Sequence, residues 1–226
     1  MLVIFAWNNI HDIARKPHIF LPGVTCDTII GSATYGRMTS IDISGRGLSG
    51  TLPSTMGNFQ SITSLNIRLN DLKGTIPSTF VGLTSLTMID IYSNSLSGTI
   101  PSTISALTSL TVIYFHSNCL SGSIPSTIST LTSLTEINFS SNSLSGTIPN
   151  TMSALTSLRY LYLNYNYLTM GTAASVPIAT FSTGTLSGTL NLESNCLVFD
   201  TNNPYRHVTA THCQYTSTPT LTLSKY

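Results

Sequence analysis

A 24-residue period runs through most of this chain and restricts it to folds built by stacking one coil on the next. Apolar strand starts stand at Ile41, Leu65, Ile89, Ile113, Ile137 and Leu161, and the step between them never varies. The seventh start, Leu190, comes later than that step would put it, which places a five-residue insertion in the sixth repeat. An asparagine lies five positions after each start, at Asn70, Asn94, Asn118, Asn142, Asn166 and Asn195; only the first repeat departs, with Arg46. A proline recurs at Pro53, Pro77, Pro101, Pro125 and Pro149. A fixed period of this size marks a repeat architecture, in which each coil buries its apolar side chains only against its neighbours and both ends need caps.

The chemistry of one repeat is legible. Leu65-x-Ile67 alternates as a half-buried strand does. Asn70 ends it, and a buried amide there can bond the main-chain groups that a turn leaves unpaired. Stacked repeats line such amides into a ladder. Gly74 permits a tight bend. Pro77 has no N–H and belongs where the chain leaves pairing.

Composition narrows the functions. Charged residues make up 8% of the 226, and the net charge is +1. An average domain has roughly 25%. A nucleic-acid binder needs a positive stripe, so that class is excluded. No segment reaches the ~18–20 apolar residues of a membrane helix. The apolar opening Met1–Trp7 is short and lacks the basic flank and small-residue cleavage site of a signal peptide. Hydroxyls replace charge: 35 Thr and 33 Ser are present.

The repeated text L-x-x-L-x-L-x-x-N-x-L, followed by LSGTIPST and LTSL, resembles the leucine-rich repeat, and its SGxIP portion resembles the plant-type subclass. The resemblance covers about residues 38–200. It implies a leucine-rich repeat solenoid: a right-handed coil with a concave parallel β-sheet and a convex side of short strands and 3₁₀ turns. Residues 23–53 (GVTC…LSGTLP) are similar to that family's N-terminal cap. The family's Cys-x-Trp just before GVTC is replaced here by Ile19 and Leu21, so Cys26 lacks the usual cap partner. The division is then an N-terminal cap at 1–37 with Trp7 on the first coil, repeats at 38–195, and a C-terminal cap with a Ser/Thr-rich tail at 196–226.

No catalytic constellation is present, and the chain reads as no enzyme with no cofactor and no metal. Gly45-x-Gly47-x-x-Gly50 matches a dinucleotide fingerprint, but that motif works only between a strand and a helix, and here it is the first copy of a repeat text. Asp90 and Glu136 lie two repeats apart, a spacing that a carboxylate pair can use; nothing else supports catalysis. His207 and His212 flank Cys213, and a cap loop accounts for them.

Outward strand positions are the better candidate. On the concave face these include Ser40, Asp42, Ser44, Asn66, Arg68, Met88, Asp90, Tyr92, Val112, Tyr114, His116, Glu136, Asn138, Ser140, Tyr160, Tyr162, Asn164, Tyr165, Asn191 and Glu193. Arg68, Asp90, Tyr92, Tyr114, His116, Tyr160 and Tyr162 are the expected ligand-binding set, because tyrosine offers a rigid, half-apolar contact with a polar tip. Aromatic residues also simply suit strands. Asn138-Phe139-Ser140 is a glycosylation sequon.

Cys196 and Cys213 both lie within the terminal cap and are expected to form a disulfide. Cys26 and Cys119 are expected to be free, since about three coils, or ~14 Å, separate Cys119 from either end, beyond the ~7 Å a bridge allows. Threonine ranks at 51, 75, 99 and 147, and at 55, 79, 103, 127 and 151, stack at strand spacing.

The expectation is an extracellular protein, secreted or at the cell surface, that binds a protein, peptide or glycan through its concave face. The alternative is a structural, glycosylated subunit forming a homopolymer, argued from the low charge and from Leu221 and Leu223 alternating as an added strand would. Ice binding by the threonine ranks is a distant third.

Overall fold

The structure, a computed structural model, describes residues 23–26, 38–169, 189–192 and 195. After β1 (Val24–Cys26) each coil supplies two strands: β2 (Met38–Asp42) and β3 (Ser49–Thr51); β4 (Ser64–Asn66) and β5 (Asp71–Thr75); β6 (Met88–Asp90) and β7 (Ser95–Thr99); β8 (Val112–Tyr114) and β9 (Cys119–Gly122); β10 (Glu136–Asn138) and β11 (Ser143–Thr147); β12 (Tyr160–Tyr162) and β13 (Tyr167–Thr169). Strand β14 (Thr189–Asn191) opens the seventh coil. The long sheet runs β1-β2-β4-β6-β8-β10-β12-β14, and the short sheet runs β3-β5-β7-β9-β11-β13. Among the described strands only β1 is antiparallel to its neighbour. The register Ile41↔Leu65↔Ile89↔Ile113↔Ile137↔Leu161↔Leu190 is the sequence period itself. The solenoid is that of a leucine-rich repeat.

The first five coils close through a short 3₁₀ turn, at Ser54–Asn58, Ser78–Gly82, Ser102–Ala106, Ser126–Thr130 and Asn150–Ala154. A proline precedes every one, where its fixed φ suits entry and its missing N–H costs nothing. The leucines and isoleucines of all coils form one continuous core, with Phe115 stacked on Phe139 at 5.5 Å.

The asparagine ladder is present. Asn70 Oδ1 accepts from the N–H groups of Arg46 and Leu48, while its Nδ2 donates to the carbonyls of Ile43, Ile67 and Arg68. Asn118, Asn142 and Asn166 repeat the pattern. The residue before each amide, Leu69, Ser93, Ser117, Ser141 or Tyr165, is held left-handed with φ between 50° and 56°. That conformation costs a side-chain-bearing residue roughly 1–2 kcal/mol. Coil one has no ladder asparagine, and the same position there is Gly45, which adopts φ 64° without penalty.

Threonine also serves stacking. Hydroxyls of Thr79, Thr103, Thr127 and Thr151 donate to the carbonyl of a serine one coil back, at 2.7–3.2 Å. Thr63, Thr87, Thr111 and Thr135 do the same along the rim of the long sheet, toward a threonine carbonyl. The other rank, Thr51, Thr75, Thr99, Ser123 and Thr147, is exposed. Three of its methyl groups lie over the next coil's glycine: a Cβ placed on Gly98 would come within 2.8 Å of Thr75 Cγ2. Part of the unusual Ser/Thr content is therefore used in joining coils.

Cys119 is free and exposed. Among the described residues no helix is long and apolar enough to cross a membrane. Residues 45–48 link β2 to β3, and strand β3 rather than an α-helix follows them, so they form no dinucleotide loop. The expected cap helix with Trp7, the Cys196–Cys213 bridge, the sixth-repeat insertion, Glu193, His207, His212 and the C-terminal tail lie outside the described residues.

Candidate functional site

The outward face of the long sheet is ordered into columns because strand register repeats every coil. One column is Asp42, Asn66, Asp90, Tyr114, Asn138 and Tyr162. Two residues further along the chain come Ser44, Arg68, Tyr92, His116, Ser140 and Asn164. The first column holds the second in place. Asp42 Oδ1 accepts from Ser44 N, Asn66 Oδ1 from Arg68 N, Asp90 Oδ1 from Tyr92 N and Asn138 Oδ1 from Ser140 N. These side-chain turns bend the chain out of the sheet and aim the second column across the coils.

Side chains 68, 92 and 116 meet as a result. The Arg68 guanidinium lies 5.6 Å from the centre of the Tyr92 ring. Tyr92 stacks on His116 with centroids 4.4 Å apart and planes 15° from parallel. Tyr114 meets the same imidazole edge-on at 6.0 Å. The Glu136 carboxylate stands near enough to Tyr114 to raise its phenol, and so extends the row to a fifth coil. Tyr160, which pairs with Glu136 in register, is 39% exposed, and Tyr162 is half-buried beside it.

The sequence reading needs correction at three outward positions. Asn66, Asp90 and Ser140 are buried. They lie in the outward columns all the same; over Asp90 lies Arg68, whose Nη1 is 3.5 Å from its Oδ2. Asp90 and Glu136 occupy different columns of that face, and Arg68 lies against Asp90. Tyr165 belongs to the left-handed turn before Asn166, at the end of the strand region. Arg68, Tyr92, Tyr114, His116, Tyr160 and Tyr162 do gather on one face. Sequence reasoning missed the Arg68–Tyr92–His116 stack, although its signal was available: the three residues follow one another at the repeat period.

Burial sets the electrostatics. Desolvation raises the Asp90 carboxyl above its ordinary range, with the Tyr92 N–H and Arg68 opposing. Burial acts on Asp42 in the same sense, but hydrogen bonds from Ser44 and Asn66 outweigh it and the net shift is downward. Burial lowers His116, which keeps the imidazole neutral at pH 7. The Tyr114 phenol is pushed up to about 12 by burial and by the neighbouring Glu136 carboxylate. Among the described residues no group of three His, Cys, Asp or Glu side chains is placed to hold a metal ion. The face offers recognition chemistry: flat rings, one guanidinium and carboxylates, all on a rigid sheet.

Residues 86–144 and 109–168 match the family model described as leucine rich repeat. No curated protein sequence matches the chain. Solved structures do. The plant peptide hormone receptor RGFR1 in complex with RGF2 is 33% identical over 66% of this chain and 23% of that one, with a TM-score of 0.61. The BIR3–SERK2 complex from Arabidopsis thaliana is 35% identical over 59% and 69%, with a TM-score of 0.54. The ectodomain of the Arabidopsis receptor kinase HAESA, in complex with an IDA peptide hormone ligand, is 26% identical over 78% and 32%, with a TM-score of 0.64. The chain thus spans 23% and 32% of the two hormone-receptor chains it matches.

Proposed function

This chain belongs to the leucine-rich repeat family, and from that premise we propose that it is a non-catalytic extracellular protein whose concave face binds a protein or peptide ligand. The observation that carries the reading is the row Arg68–Tyr92–His116–Tyr114–Glu136, continued by Tyr160 and Tyr162. The repeat needs the inward leucines and the ladder asparagines; it does not need rings in these outward columns, where coil one carries Ser40, Asp42 and Ser44. Support comes from the solved relatives, two of which are described as receptors in complex with peptide hormones. A glycan is the second ligand class that such rings suit.

The test uses the full chain against arrays of synthetic peptides and of glycans. Replacing Tyr114 and Tyr160 together by Ala is expected to abolish peptide capture with little change in melting temperature. A double variant that unfolds, or that binds as before, removes the site. A self-associating structural subunit is the competing reading. Light scattering separates the two: a 24.3 kDa particle that captures peptide excludes the filament.

Asn138 is the proposed glycan acceptor. Its Oδ1 already accepts from Ser140 Oγ at 2.6 Å, and in register it lies between Tyr114 and Tyr162. A sugar there would cover part of the binding face. Intact-mass measurement before and after glycosidase treatment of protein from a eukaryotic host reads its occupancy.

A further inference from the structure

Three unfinished polar contacts meet on the long-sheet face in coils two to four. Asp90 has 0% of its surface exposed, yet its Oδ2 accepts no hydrogen bond. The Arg68 Nη1 stands 3.5 Å from it, beyond the roughly 2.7–2.9 Å of a charge-assisted hydrogen bond. Arg68 Nε and His116 Nδ1 are buried without hydrogen-bond partners as well.

The fold does not require a charge at position 90. Asp90 bonds the N–H of Tyr92 through Oδ1, and in the same column the neutral amides of Asn66 and Asn138 make the same turn. A buried carboxylate that is left half-satisfied and does no more than an amide would is costly, so it points to a ligand. The charge balance gives the sign of that ligand. Across the outward columns of the described residues, Asp42, Asp90 and Glu136 face one basic side chain, Arg68; Arg159 stands outside them, just before β12.

We propose that the ligand of this face is a basic peptide, that Asp90 is the seat for one of its arginine side chains, and that Arg68 fills this seat in the free protein. The proposal rests on the peptide-binding reading above. Arg68 shows that a guanidinium fits: it lies against the Tyr92 ring, which His116 backs, with the carboxylate beside it. An aromatic wall with a carboxylate at its edge suits a planar guanidinium better than an ammonium. The Arg68 side chain is 41% exposed and interacts with Asp42 as well, so it has a second carboxylate to turn to when displaced. Glu136, two coils on and two residues earlier in its strand, offers a further acidic contact roughly 12 Å away at ordinary strand spacing and rise.

The experiment titrates the full chain by fluorescence polarisation with labelled peptides of equal length and graded net charge. Arginine-containing, net-positive peptides are expected to bind best. Replacing the seated arginine of such a peptide by citrulline should weaken binding about tenfold or more, as should Asp90→Asn in the protein. Arg68→Ala should tighten binding by about threefold to tenfold, because it removes the internal competitor. Circular dichroism verifies the folded state of Asp90→Asn, and the citrulline arm tests the same contact without altering the protein. A preference for acidic peptides, an indifferent Asp90→Asn or citrulline, or weaker binding by Arg68→Ala overturns the seat. Peptides that bind without charge preference and are lost in the Tyr114/Tyr160 variant overturn this proposal alone. If no peptide binds at all, the peptide-binding reading fails and takes the seat with it.

Discussion

Tyr92 and His116, one coil apart, lie ring on ring with centroids 4.4 Å apart, and this stack withdraws the imidazole from water. The withdrawal has a signed consequence for stability. His116 has its folded pKa below the unfolded value near 6.5. In the window between the two values the unfolded chain holds more protons, so stability is full above about pH 6.5 and declines as the pH falls toward the lower folded value. Melting temperatures compared for the wild type and His116→Phe, which keeps a stacking ring, should show the wild type losing more as pH drops from 7.5 to below 6. Parallel pH profiles would show that His116 titrates freely.

Asp90 and Arg68 should respond unequally to substitution. Asp90→Asn keeps the acceptor for Tyr92 N–H and removes a desolvated charge, so stability at pH 7 should be unchanged or rise by about 1 kcal/mol. Because the folded pKa of Asp90 is raised, any gain is absent below the unfolded value near 3.8 and grows as pH rises through the folded value. Arg68→Met leaves the carboxylate buried without its cation and should cost about 1–2 kcal/mol, discounted because the guanidinium is part-exposed. Urea titrations at pH 3.5 and 7 read both. A stabilising Arg68→Met would refute the asymmetry.

Gly98 and Thr75 form an interlock that the repeated Gly-Thr pair conceals. Gly98 has φ 76°, and an added Cβ would sit 2.8 Å from Thr75 Cγ2. Gly98→Ala should therefore cost more than the ~1–2 kcal/mol of the left-handed conformation alone. Thr75→Ser removes the methyl and should restore part of the loss, a coupling of about 0.5 kcal/mol or more in a double-mutant cycle. The protein already contains the relieved version, since Ser123 opposes Gly146 with 3.4 Å of clearance. Strict additivity would mean the methyl can move away.

Asn118 makes four hydrogen bonds, from Leu96 N–H and to the carbonyls of Ile91, Phe115 and His116. Asn118→Ala orphans these groups and leaves Ser117 left-handed without support, for an expected loss of about 2–4 kcal/mol. Asn118→Asp should be worse, because a carboxylate would face three carbonyl oxygens. Denaturant midpoints give the ranking, and an Asp variant more stable than the Ala variant contradicts the ladder's polarity.

The cysteine expectations separate by peptide mapping without reductant. Cys119 is free and exposed, and it should be alkylated in the native protein. Cys196 and Cys213 should be recovered as one linked pair, stabilising by roughly 3 kcal/mol through loop closure. A link from Cys119 to either Cys26 or Cys196 is incompatible with the coil register.

The period alone determined the strands, the inward columns and the ladder. Each coil meets only its neighbours, so a pattern that satisfies one interface satisfies them all, and Leu161↔Leu190 shows that the register survives the sixth-repeat insertion. Alternation also placed Arg68, Tyr92, Tyr114 and His116 on the outward side. It did not reveal which outward residues are reachable. Asp42 and Asp90 occupy one column, but Asp42 is exposed and Asp90 is buried, because only Asp90 has a long side chain from the preceding coil laid over it. The Tyr92–His116 stack and the Thr75–Gly98 contact have the same origin. They join side chains from adjacent coils, whose reach and rotamers are chosen by packing between residues a whole period apart in sequence. Strand periodicity records the direction of a side chain, whereas its burial is set by what the next coil places on top of it.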